Sequence, residues 1–303
     1  MISVIIPCFD SATTIGATLN AITRQQGVDF EVIVVNSPDP KTESIIREHF
    51  PQVTLLQQSH KTSAAKARNR GAQQAQGVYF AFLDSDCTVD PHWLQRLLAA
   101  YDPKQYCGVG GPIKNGNPES VISWAGYLLE FSDFLPDGAA QAVSHIPSGN
   151  LFLSRETFNK SGGFPEQFGY AQEDRLFSLR LVEEQGKPFL FNPETAVYHQ
   201  QRSQAYAFLR HQYHIGQGGA EILKRVSLRG SVLVAWRQLI WLLLPLIPFI
   251  KLFGCLRRAF LWQPKIFFQK PYLLWWMLRG TWQWAIGFCS RISNSNSPLT
   301  SEQ

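Results

Sequence analysis

Cysteine is scarce in this chain of 303 residues: there are five (Cys8, Cys87, Cys107, Cys255, Cys289), odd in number, and no C-x-x-C pair. That spacing argues against a disulfide framework and against a structural zinc site, so the thiols are expected to be reduced and buried. Acid is nearly missing from one end of the chain. Residues 202–303 hold only Glu221 and Glu302 against 13 Lys+Arg, a balance of +11, whereas residues 1–201 hold 21 Asp+Glu and 15 Lys+Arg, a balance of −6. No basic n-region and no cleavage site precede Ile2-Ser3-Val4-Ile5-Ile6-Pro7, so the N-terminus reads as a first strand and the first region is expected to stay in the cytoplasm. Internal repeats are missing as well, and the one low-complexity stretch is the polar tail 293–303, expected to be disordered.

With 45% hydrophobic residues the chain can bury a full α/β core, and the opposite charge of its two regions implies two jobs. The basic region holds most of the tryptophan: Trp236, Trp241, Trp262, Trp275, Trp276, Trp282 and Trp284. Lys/Arg with Trp beside long apolar stretches fits an anionic membrane surface better than nucleic acid, and no nucleic-acid partner is expected.

In the first region, short β-branched runs alternate with helical stretches, the pattern of βαβ units around a mostly parallel sheet. Strands are expected at 2–7, 31–35, 53–57 and 78–83, and helices at 12–25, 41–49 and 63–75. Pro91 at a first helical turn opens another helix through Leu98, the stretch 113–147 reads as loop, and order returns with a strand at 148–153. The apolar run 78–83 stops abruptly in Asp84-Ser85-Asp86. In open α/β sheets the ligand sits outside the carboxyl ends of the strands, where such residues emerge.

Two carboxylates one residue apart at a strand end present hard oxygen ligands to Mg²⁺ or Mn²⁺, although the same pattern also occurs in surface turns. One βα step upstream, Ala64 to Gly71 sets small residues against the sheet while Lys66, Arg68 and Arg70 are available to an anionic ligand. A solvated basic helix face is the plain alternative. Glu173 and Asp174 open a further helix, where acidic residues also serve the helix dipole.

Taken together, the strand ending in Pro7-Cys8-Phe9-Asp10, the AxARNxG segment closing at Gly71, Leu83-Asp84-Ser85-Asp86, Gly162-Gly163-Phe164, and Gln172-Glu173-Asp174 with Arg180 resemble the ordered motifs of the family-2 glycosyltransferases. The likeness covers roughly residues 1–200. It implies a GT-A fold (α/β, Rossmann-like, mostly parallel sheet), an inverting transfer from a nucleoside-diphosphate sugar with UDP as the expected carrier, and a divalent cation, Mg²⁺ or Mn²⁺. By position, Asp86 resembles the metal-binding aspartate and His199 a downstream histidine that completes the metal site. Asp174 resembles the general base, with Glu173 as its competitor. Pro7, Phe9, Lys66, Arg68 and Asp84 match the donor-binding positions. Where the family usually carries an acidic pair after the second strand this chain has Val35-Asn36-Ser37-Pro38-Asp39, so Asn36 or Asp39 is expected to meet the base. A nucleotidyltransferase and an inactive sugar-nucleotide-binding membrane protein are the alternative classes.

The chain thus divides into a catalytic domain at 1–201, a basic, Trp-rich helical membrane-associating region at 202–292 and the tail. Residues 232–250 match the length of a membrane span, but Arg237 interrupts them and Pro245 and Pro248 would break a helix. Basic flanks on both sides argue against a single span and favour a re-entrant or interfacial arrangement at the cytoplasmic face of the plasma membrane, with two spans forming a hairpin, or core helices docking on the catalytic domain, as the alternatives. The second apolar stretch, 272–289, carries Arg279 and four tryptophans and is expected at the headgroup boundary. Similar catalytic domains with such basic, Trp-rich tails act on lipid-linked or membrane-resident acceptors, so the resemblance implies an acceptor of that class as the expected partner.

Overall fold

The computed structural model describes residues 1–136, 138–167, 171–226, 232–235 and 237–293. They form two units, one from Met1–Gly116, Pro136–Glu166 and Glu173–Gln200, the other from Asn117–Leu135, Gln167–Gln172 and Gln201–Gln303. Residues 117–135, assigned by sequence to 1–201, thus belong to the second unit.

The first unit runs β1 (Ile2–Cys8), α1 (Ile15–Ile22), β2 (Phe30–Asn36), α2 (Pro40–His49), β3 (Thr54–Gln57), α3 (Ala64–Gln74), β4 (Tyr79–Leu83), β5 (Cys87–Val89), α4 (Trp93–Ala100), β6 (Val109–Gly110) and β7 (Ile113–Asn115). After α5 (Val121–Phe131), which lies in the second unit, it resumes with β8 (Gln141–Val143), β9 (Asn150–Ser154), α6 (Arg155–Lys160), α7 (Glu173–Gln185), β10 (Phe189–Phe191) and β11 (Val197–His199). Eight strands form one sheet in the order β3-β2-β1-β4-β9-β6-β10-β8, and β5, β11 and β7 form a second. Strands β3, β2, β1 and β4 run parallel, as the βαβ alternation predicts, while β9 lies antiparallel to both β4 and β6. The central strands are buried on both faces, which is why they read as continuous apolar runs rather than alternating ones.

The expected loop at 113–147 contains α5, a helix capped by Ser120, whose hydroxyl accepts from the Ser123 amide at 3.2 Å. The turn signal Asn115-Gly116-Asn117-Pro118 just ahead of it masked the apolar run behind. Strands β5, β6 and β10 hold two or three residues each, too few to show a period.

The second unit continues with α8 (Ala205–Arg225), α9 (Val232–Ala235), a 3₁₀ turn (Ile240–Leu243), α10 (Ile247–Trp262), α11 (Ile266–Gln269) and α12 (Leu273–Ser293). Here α12 packs against α8 and α5, burying Met277, Ala285, Phe288 and Ile292. The stretch 272–289 is therefore largely a packed helix, and the headgroup placement expected for all of it is not what its burial shows. Among the described residues no helix is long and apolar enough to cross a membrane, so the two-span hairpin is not met. The physical reason is local: the chain from 232 to 250 is divided among α9, the 3₁₀ turn and the start of α10, with Pro248 in the first turn of α10. Of the tail, Ser293 closes α12 and 294–303 lie outside the described residues.

Candidate active site

Strand β4 ends where its apolar run meets Asp84, and a tight turn closed by the Cys87 amide on the Asp84 carbonyl (3.1 Å) passes the chain to β5. Ser85, between the two acids, is pinned: its hydroxyl lies 2.8 Å from that of Ser11, and its carbonyl accepts from Thr18 Oγ1 at 2.9 Å. The acids on either side meet different partners. Pairing of β5 with β11 sets His199 opposite Cys87, and the Gln200 amide donates to the Asp86 carbonyl at 2.8 Å. His199 Nε2 consequently stands 3.3 Å from Asp86 Oδ1.

Ligand atoms of Asp86, Cys87 and His199 all lie within 4.8 Å of one another. The half-buried Asp86 carboxylate and the buried His199 imidazole fit a hard divalent cation that takes its remaining ligands from water or phosphate. Cys87 suits it less. Burial, reinforced by the carboxylates of Asp86 and Asp84, pushes its thiol well above the usual range, so it stays neutral beside the pair. Asp86 and His199, singled out from sequence 113 positions apart in the chain, are thus brought together.

Arg68 is placed differently from the expectation that it faces a diphosphate. Two residues along a helix are 200° apart at 100° per residue, so Lys66 and Arg70 share the solvent face of α3 while Arg68 points inward, 3% exposed. There its guanidinium spans two carboxylates: Nη2 donates to Asp84 Oδ1 at 2.7 Å and Nη1 to Glu173 Oε1 at 2.8 Å. Burial alone would weaken its hold on its proton, but Asp84, Glu173 and Asp174 outweigh that and raise it, so Arg68 stays charged. It binds two parts of the site to each other.

At the start of α7 the two candidate bases separate. Glu173 is buried against Arg68, and burial together with the neighbouring Asp174 carboxylate pushes its carboxyl above the ordinary glutamate value despite that partner. Asp174 is half-buried and accepts from the Ser148 amide at 3.1 Å, the Ser148 hydroxyl at 3.4 Å and the Arg175 amide at 2.7 Å. Neutral donors orient it while leaving it reachable, so of the two candidates Asp174 is the carboxylate open to solvent.

The same short segment ties Asp174 to Asp84. Asn150 pairs with Leu83 across β9 and β4, and at Gly149 a Cβ would come within 2.6 Å of Asp84 Oδ2, so a larger residue there would have to displace that carboxylate. Ser148, which the sequence reading takes only as the start of a strand, thus holds Asp174, and Gly149 beside it leaves the space that Asp84 occupies. The Gly162-Gly163-Phe164 turn is fixed by Asn69 of the AxARNxG segment, whose amide donates to the Phe164 carbonyl (2.9 Å) and accepts from the Phe164 amide (2.8 Å). Gly163 has φ 83°, and a Cβ there would meet Asn69 Oδ1 at 2.7 Å. Phe164 then stacks on Phe177 of α7 at 4.3 Å between ring centroids, which carries α7 to the site.

At the carboxyl ends of β1 and β2, Pro7 is half-buried and Phe9 is 49% exposed, with Lys61 Nζ 4.5 Å from its ring centroid. Asn36 is fully buried and donates to the Asp39 carbonyl (3.2 Å) and Gln57 Oε1 (3.1 Å), so it offers no surface to a base. Asp39 caps α2, accepting from the Lys41 and Thr42 amides. Asn36 is thus taken up in shaping the loop, whereas Asp39, although it caps the helix as a short polar side chain there tends to, stays half-buried.

An α/β sheet that gathers carboxylates, a histidine and a buried arginine at the carboxyl end of its central strand is the arrangement of an enzyme with its chemistry at the sheet edge. Residues 3–162 match the model of glycosyl transferase family 2, and the chain belongs to that family. It is 27% identical over 259 residues to the glycosyltransferase AglE of Haloferax volcanii, covering 82% of this chain and 81% of that one. Two further curated relatives are matched over 17% and 51% of their own length. Among solved structures, the mannosyltransferase PcManGT from Pyrobaculum calidifontis, in complex with GDP-Man and Mn²⁺, has a TM-score of 0.62 at 20% identity, with 94% of this chain and 85% of that chain covered. GalNAc-T7 with UDP, GalNAc and Mn²⁺ has a TM-score of 0.54 at 16% identity, over 67% and 44% of the two chains. The fold is thus GT-A-like, and the protein is a glycosyltransferase.

Proposed function

We propose that the protein transfers a sugar, with inversion, from a nucleoside diphosphate to a lipid-linked or other membrane-resident acceptor at the cytoplasmic face of a membrane. The observation that carries this reading is the assembly of Asp84, Asp86, His199 and Asp174 around the β4–β9 corner, with Asp174 held by neutral donors while Glu173 is committed to Arg68. Asp174 takes the proton of the acceptor hydroxyl as its oxygen attacks the anomeric carbon, and the nucleoside diphosphate departs from the opposite face. A single displacement inverts that centre. Asp86 and His199 would hold Mg²⁺ or Mn²⁺, which offsets charge on the departing diphosphate. Phe9 offers a ring to the nucleobase, Lys66 is a solvent-facing cation of α3, and Asp84 is set for the ribose. Both UDP and GDP are admissible carriers, since the structurally similar proteins are complexes with GDP-Man and with UDP. Five free cysteines, all buried, support a reducing compartment.

A calorimetric screen of UDP-, GDP- and dTDP-sugars with Mn²⁺ identifies the donor. Asp174→Asn should then bind that donor near normally and fail to transfer, and Asp86→Ala should weaken binding only in the presence of the cation. Unchanged turnover in either variant removes the mechanism, and release of pyrophosphate instead of a nucleoside diphosphate would make the protein a nucleotidyltransferase.

A further inference from the structure

Exposed large apolar side chains are unevenly placed. Among the described residues all but Met1, Phe9, Val78, Tyr198 and Tyr206 fall between Leu239 and Trp275, within the second unit. Helix α10 shows why this is a surface and not scatter. Its inward stripe, Pro248, Cys255 and Ala259, is buried, with Leu252 and Leu256 packed against the same core. The opposite stripe is just as apolar: Leu246, Phe249, Ile250, Phe253, Phe260 and Leu261 recur at helical spacing, with Phe253 72% and Leu261 77% exposed. A surface helix ordinarily turns charge to water, and on this stripe the charged residue is the exposed Arg257. The 3₁₀ turn before it adds Trp241 and Leu242.

We infer that the outer stripe of α10 with the preceding 3₁₀ turn is a docking face for an anionic lipid bilayer, seated in the headgroup boundary and not across the membrane. The inference rests on the membrane part of the function proposed above and assigns it to a surface. Charge selects the occupant. Residues 222–301 contain no Asp or Glu, and Arg257 stands exposed on the stripe itself, with Lys265 and Arg279 exposed elsewhere in the same unit, so the charge of this region complements lipid phosphate. The carboxylate that meets α10 there, Asp133, is paired to Arg258 at 3.1 Å on the flank of the helix, so a second copy of this chain would bring a net basic stripe against itself, which like charges oppose. Length agrees: 16 residues of helix extend about 24 Å at 1.5 Å each, short of the ~30 Å hydrocarbon layer. Removing the whole region would not test this, because α12 shares a core with α5 and α8.

The test uses the full-length protein in flotation with phosphatidylcholine vesicles, with and without phosphatidylglycerol. The parent should float with the anionic vesicles and detach as salt rises. Phe253→Asp and Leu261→Asp should each lower the partition coefficient about tenfold, the order expected for one buried apolar side chain. Arg257→Glu should weaken binding to anionic vesicles only, and Val78→Asp, far along the chain and outside the stripe, should change nothing. Melting temperatures equal to the parent's show that the variants fold. Binding unaffected by the double variant Phe253→Asp/Leu261→Asp overturns the assignment, as does a concentration-dependent dimer that this variant dissolves without any vesicle binding by the parent. Donor affinity measured on the same proteins stays at the parent's value if the surface acts only in docking. A protein that floats but binds no nucleotide sugar would sink the proposed activity and leave the docking face standing.

Discussion

Replacing Arg68 with methionine keeps the side-chain length and removes the charge that holds Asp84 and Glu173. The two carboxylates then fare differently. Asp84 has 32% of its side chain exposed and regains hydration, so its share is screened, whereas Glu173 has 10% exposed and does not. Breaking a buried ion pair by deleting one partner costs about 3–5 kcal/mol. With Asp84 rehydrated, and with Glu173 able to take up a proton once its cation is gone, the expected loss is near the low end, about 3 kcal/mol. At roughly 2–4 °C per kcal/mol that lowers the melting temperature of the first unit by about 6–12 °C. Arg68→Lys should recover only part of this, since one ammonium cannot reproduce a fork that spans two carboxylates. Combining Arg68→Met with Glu173→Met should be less damaging than the sum of the singles, because no buried charge is left without a partner. Urea unfolding of the four proteins measures the coupling directly. If Arg68→Met lies within about 0.5 kcal/mol of the parent, or if the two methionine substitutions add without coupling, the buried bridge is not a structural tie and the reasoning fails.

Glu173→Gln tests the environment of the same pair through pH. The folded carboxyl is raised above its unfolded value, so it contributes stability below the ordinary glutamate range, about 4.3, and loses that contribution as pH rises through the folded value. The glutamine variant does not titrate, so its stability relative to the parent should improve on going from pH 4 upward and then level off. A difference that is flat, or that moves in favour of the parent, contradicts the assignment. Gly149→Ala places a methyl 2.6 Å from Asp84 Oδ2 and must displace that carboxylate. It should cost about 1–3 kcal/mol and weaken nucleotide-sugar binding, and unchanged donor affinity in calorimetry would show that the position of Asp84 does not matter to the donor.

The β-branched runs alternating with helices gave away the parallel half of the sheet, since strands buried on both faces must be apolar throughout. An abrupt change from Leu83 to Asp84-Ser85-Asp86 likewise marked a strand's carboxyl end without any coordinates. Local signals of this kind survive in sequence because each depends on neighbours a few residues away. What each charged group faces does not. Arg68 looked like a ligand contact until the helix phase turned it inward, and Asn36 looked available until the loop after β2 took it up. Ser148 and Gly149 carry no motif, yet the register of β9 against β4 makes them the link between Asp84 and Asp174. In the second region composition showed basic charge and tryptophan, but the core shared by α5, α8 and α12 decided which apolar stripe is buried and left the outer face of α10 to water. Packing pairs residues a hundred or more positions apart, and neither period nor spacing along the chain records that choice.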